Sequence, residues 1–128
     1  MKFNQYDVGL RNAASYQVSG WPWVTGSTLV VGEERVVNFP MVTKSITVIQ
    51  SGSGELRLHF AATASGGVVQ GNHYISLNAD KDSVSLNVKC KRLYMTCVGA
   101  AASYEVAAEL TNINTDRMFI LTGSGITE

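Results

Sequence analysis

Ser83-Val84-Ser85-Leu86-Asn87-Val88-Lys89 alternates without a fault: Val84, Leu86 and Val88 fall on one side, and Ser83, Ser85, Asn87 and Lys89 fall on the other. Successive side chains of a strand point to opposite faces, so this stretch reads as a strand with one face on a core and one in water. Glu55 to Ala61 repeats the scheme, with Leu56, Leu58 and Phe60 on the apolar face and Glu55, Arg57 and His59 opposite. On this reading the pleat alone accounts for His59, as a surface residue.

Outward from these two blocks, Thr28 to Val31, Arg35 to Phe39, Lys44 to Gln50, His73 to Asn78, Lys91 to Cys97, Tyr104 to Leu110 and Arg117 to Thr122 are rich in β-branched and aromatic residues and read as further strands. Turn chemistry separates them: Ser51-Gly52-Ser53-Gly54, Ser65-Gly66-Gly67, Asn78 to Asp82 and Asn112 to Asp116. Between Ala100 and Leu110 two signals compete. Five alanines favour helix, whereas Tyr104, Val106, Ala108 and Leu110 alternate as a strand does, and the alternation is preferred. Many short strands joined by such turns predict an all-β fold, an antiparallel β-sandwich of jelly-roll type. A chain of 128 residues is the size of one domain. The first 26 residues lack sustained alternation and hold Phe3, Tyr6, Tyr16 and Trp21-Pro22-Trp23, so residues 1–26 are predicted to be an extended N-terminal arm and residues 27–128 the sandwich.

Ten basic residues cancel ten acidic ones, which argues against a nucleic-acid or anionic-membrane partner. Only 16% of residues are charged, a low density that suits a surface spent in protein contacts. Met1 to Asp7 shows no apolar run behind a basic start, so neither a secretory signal nor a membrane span is expected, and the cytosol is the expected place of synthesis. Cys90 and Cys97 match neither a zinc knuckle nor a dense disulfide framework and are expected as buried, reduced thiols.

The residues of catalysis are present without their arrangements. The two histidines, His59 and His73, have no nucleophile motif beside them and no evident third metal ligand. Glu33-Glu34 and the pair Asp80 and Asp82 could serve as acid and base on a glycoside, but both lie in segments that read as turns. Asn78, Asp80 and Asp82 imitate the start of a calcium loop, yet Ser83 stands where glycine is needed and Lys89 where the bidentate glutamate belongs. No phosphate-cradling glycine motif occurs. Lys89, Lys91 and Arg92 beside Tyr94 make a small aromatic and basic cluster, read as a solvated strand face in preference to a nucleic-acid surface. No enzyme, cofactor or metal is therefore expected. Trp21-Pro22-Trp23 has three readings: core, protein interface, or a platform for a sugar ring.

The opening Tyr6-Asp7-Val8-Gly9-Leu10-Arg11-Asn12-Ala13-Ala14-Ser15-Tyr16-Gln17-Val18-Ser19-Gly20, the strand Leu56-Arg57-Leu58-His59-Phe60 and the ending Leu121-Thr122-Gly123-Ser124-Gly125-Ile126-Thr127-Glu128 resemble small virion structural proteins of marine tailed phages, of the capsid decoration (cement) type. The resemblance implies a β-sandwich that docks on the outside of a head shell, often as a trimer, with the major capsid protein as partner and the virion, assembled in the host cytoplasm, as location. On that reading the aromatic-rich arm is the expected contact, with Phe3, Tyr6, Trp21 and Trp23 as anchors and Arg11 as a planar hydrogen-bonding group. A tail or head-fibre subunit is the alternative within the virion, and a carbohydrate-binding sandwich module is the alternative outside it.

Overall fold

The computed structural model describes residues 20–63, 73–123 and 126. Among these residues eight strands follow in order: β1 (Trp21–Leu29), β2 (Glu34–Asn38), β3 (Met41–Gly52), β4 (Glu55–His59), β5 (Ile75–Leu77), β6 (Ser83–Leu86), β7 (Arg92–Val98) and β8 (Ala102–Asn114), and a 3-10 turn follows β8 at Thr115–Arg117. They form two four-stranded sheets, ordered β1-β8-β3-β6 and β2-β7-β4-β5. All pairings are antiparallel, and they include β1 with β8, β2 with β7, β3 with β6 and β4 with β5. First pairs with last, second with seventh, and so inward. That nested order is what a long hairpin gives when it rolls up into two facing sheets, and it is the topology of an eight-stranded jelly roll. The predicted all-β sandwich is the observed fold.

The core lies between the sheets. Ile46 and Val48 of β3, Tyr104, Val106, Ala108 and Leu110 of β8, Leu56 and Leu58 of β4 and Leu93, Met95 and Cys97 of β7 are buried at alternate positions. Burying each large aliphatic side chain contributes about 1.5–3 kcal/mol against exposure. Along β8 the alternation overrides the helical preference of its alanines: even-numbered positions from Ala102 to Leu110 are buried and Glu105, Ala107 and Glu109 face outward. β6 keeps the predicted alternation but is an outer strand, so Val84 and Leu86 are only half-buried.

Polar bonds tie the sheets where apolar contact ends. The carboxamide of Gln50, fully buried on β3, donates through Nε2 to the carbonyl of Gly54 and to that of Leu77 on the opposite sheet at 3.2 Å. Arg35 of β2 donates to Ser27 of β1 at 2.6 Å and pairs with Glu33 at 2.6 Å, bracketing the sandwich at one side. Where β3 shifts register between Met41 and Ser45, both Val42 and Thr43 turn inward. The Thr43 hydroxyl then donates to the Val88 carbonyl at 2.8 Å and accepts from the Cys90 amide at 3.0 Å.

Three expectations need correction. Trp21 to Gly26 belong to β1 and not to an arm, because each pairs with a residue of β8, from Trp21 opposite Leu110 to Gly26 opposite Glu105. Arg117 to Thr122 is no strand: it follows the 3-10 turn as irregular chain in which Met118 is buried and Phe119 and Ile120 are exposed. His59 is fully buried, although on the face predicted for it.

Candidate functional site

β1 is an outer strand whose nine residues carry no charge. Trp21 and Trp23 share a face, since they oppose Leu110 and Ala108, but the structure treats them differently. Trp23 packs partly buried on the core, its ring edge-on to Phe39 at 5.4 Å and 71°. Trp21, at the start of the strand, is 55% exposed. Val24 points to the other face and is 76% exposed. It borders a shallow hollow over β1, β8 and β3 that is also lined by Gly26, Thr47, Ile49 and Ala107, with Glu105 at its rim. The tryptophans thus form no flat platform together, one being turned into the core. Phe3, Tyr6 and Arg11, the other residues expected at a contact, lie outside the described residues.

On the outer face of the second sheet, His59 is held by three neighbours. Its Nδ1 lies 2.7 Å from the Ala61 carbonyl, which can only accept, so Nδ1 carries the proton. Nε2, 2.8 Å from the Thr96 hydroxyl, is then the acceptor. The ring stacks on Tyr94 with 6.0 Å between centroids and 11° between planes. Burial pushes the His59 pKa below the usual imidazole value, against smaller opposing effects from the Ala61 carbonyl and from Glu34, whose Oε1 is 3.9 Å from Nε2. With both ring nitrogens engaged and no access to solvent, this imidazole is a structural clamp between β4, β7 and the chain beyond β4. The acids considered for glycoside chemistry are spent in the same way. Glu33 pairs with Arg35 and accepts from the Val30 amide, which lowers its pKa; Glu34 accepts from the Thr63 amide at 2.8 Å. Asp82 accepts from the amides of Asn78 and Ala79, and Asp80 from that of Gly52. Among the described residues no three of His, Cys, Asp or Glu gather as a metal site.

Cys90 and Cys97 are free and buried. Burial raises both thiol pKa values, and the Cys97 thiol donates to the Ala100 carbonyl at 2.7 Å. Neither is poised as a nucleophile.

One concave site stands apart from these. β7 and the irregular segment after the 3-10 turn enclose a cleft of about 330 Å³, walled by Phe60, Tyr94, Phe119 and Ile120 and bordered by Lys91 and Arg92. The sequence shows the basic residues and Tyr94 side by side, but Phe60 and Phe119 reach them only through the fold.

No family model matches the chain, and no curated protein matches it. Among solved structures the chain is similar to a de novo designed double-stranded β-helix determined by NMR in solution, with 16% identity over 68% of this chain and 99% of that one and a TM-score of 0.45.

Proposed function

We propose that this chain is a non-enzymatic structural protein of a virion, a decoration protein that docks on the outside of a head shell as a trimer and holds neighbouring major capsid proteins together. The observation that supports this reading is β1: an uncharged outer strand, with Trp21 and Val24 exposed, that follows directly on the aromatic N-terminal segment. Outer strands of monomeric proteins are ordinarily guarded by charge, because their free backbone groups invite another chain to pair. Here a large apolar side chain stands on such an edge. Trp21 is then an anchor of the kind that dominates binding energy, and Phe3, Tyr6 and Arg11 extend the contact. Each copy binds two shell subunits at once, so its grip grows with the number of contacts rather than with the strength of any one.

Co-sedimentation with heads stripped of this protein tests the proposal. Removal of residues 1–19, or Trp21→Ala, should weaken binding by about 30-fold or more, the loss typical of a central anchor. The truncation must stop before β1, since Trp21 to Trp23 pair with β8. Undiminished binding by both variants overturns the proposal.

A second reading, as a tail or head-fibre subunit that touches a receptor, draws on the aromatic cleft between Phe60, Tyr94 and Phe119. Copy number separates the two. Hundreds per particle mean a shell protein, whereas about six or twelve mean a tail component, because symmetry sets the count.

A further inference from the structure

The geometry points to the cleft beside β7 as a binding site for a small organic anion with a flat apolar body, its acid group at Arg92 and its body between Phe60, Tyr94 and Phe119. At about 330 Å³ the cleft falls within the range of small-molecule sites, which runs from roughly 300 to 1,000 Å³. Three aromatic rings and Ile120 line it, and Phe119 and Ile120 remain 59% and 65% exposed. Apolar side chains of that size gain by being covered.

Charge decides what kind of molecule covers them. Two cations border the cleft, and among the described residues no carboxylate lines it. Lys91 donates to the Met118 carbonyl at 3.0 Å, which draws the segment carrying Phe119 against β7 and forms one wall. Arg92 is exposed on β7, and among the described residues no carboxylate pairs with it. Asp116 lines a separate hollow with Lys91, Arg92, Asn38 and Phe39, so it approaches these cations from the other side. An unpaired guanidinium at the rim of an aromatic cleft matches a carboxylate or sulfonate in geometry as well as in sign. A neutral apolar ligand would leave that match unused.

The probe is 2-naphthoate, titrated into the full-length, 15N-labelled chain and followed by amide chemical shifts, with naphthalene-2-carboxamide as the neutral comparator. The expected result is that naphthoate shifts the amides of Phe60, Tyr94, Phe119 and Ile120 and binds roughly tenfold more tightly than the carboxamide, as one charge-assisted hydrogen bond implies. Arg92→Gln should remove that preference and leave carboxamide binding unchanged. Phe119→Ala should weaken both compounds, and the exposure of Phe119 means the fold survives the change. Shifts that are absent or lie elsewhere overturn the inference, as does a preference for naphthoate that persists in Arg92→Gln.

Discussion

His59 owes its burial to the Thr96 hydroxyl on β7 and to the chain just beyond β4, from Ala61 to Thr63, which close over a face that alternation marks as wet. Period two says which face a side chain takes, and it did so correctly here; it says nothing of what covers that face. Because burial lowers the His59 pKa, below about pH 6.5 the unfolded chain takes up a proton that the folded chain resists. The stability that His59 supports is therefore complete above that range and is lost as pH falls through the folded-state value. Urea unfolding at pH 7.5 and 5.5 should show a fall for the native protein and a smaller one for His59→Gln, which itself costs about 1–2 kcal/mol at pH 7.5 through its broken hydrogen bonds. The tryptophans make a second test at this scale. Trp23→Ala should cost about 2 kcal/mol because that ring packs on Phe39 and the core, and Trp21→Ala within about 0.5 kcal/mol. Equal losses would place Trp21 in the core and take it away from any contact.

Elements with one clean apolar face were legible before the fold was known, as β4, β6 and β8 show. β1 was not, because an outer strand buries little: only Leu29 of its nine residues is fully buried, so its hydrophobic pattern is faint and its pairing with β8 is what makes it a strand. The segment after Asn114 misled in the opposite way. Met118 to Leu121 has the composition of a strand, but the 3-10 turn diverts it, and three of its large apolar residues, Phe119, Ile120 and Leu121, line the cleft. Turns carry their own demand. Between β3 and β4, a Cβ on Gly54 would lie 1.9 Å from the Ala100 carbonyl oxygen in the turn before β8, a distance no relaxed side chain tolerates. Gly54→Ala should cost about 3 kcal/mol by thermal or urea unfolding, since one of the two turns must move. A neutral substitution would show that the turns are not packed as described.

At the scale of the molecule, nested pairing means that the first described strand and the last hold each other in one sheet. Contacts of such sequence separation form late and slowly, so folding should be slower than for a helical domain of this length and should end with β1 joining β8. Deleting residues 1–19 should leave a single cooperative unfolding transition, whereas deleting residues 1–26 removes most of β1 and should lower stability sharply. The thiols report on the same cooperativity. Cys90 and Cys97 should resist a thiol reagent until global unfolding exposes them together, and early labelling of one alone would reveal a locally opening sheet. The pairing also bears on mechanical load. The chain enters β1 at Trp21 and leaves β8 at Asn114, the same end of the ladder, for Trp21 lies opposite Leu110. Tension applied between the two termini therefore opens the ladder one hydrogen bond at a time, like a zipper, while tension between the N-terminus and the tip joining β1 to β2 runs along the strand and strains its bonds together. If the protein decorates a shell as proposed, a shell that swells would peel it open by gripping both ends of the chain, and would find it stiff if the second grip lay at Val30 and Val31.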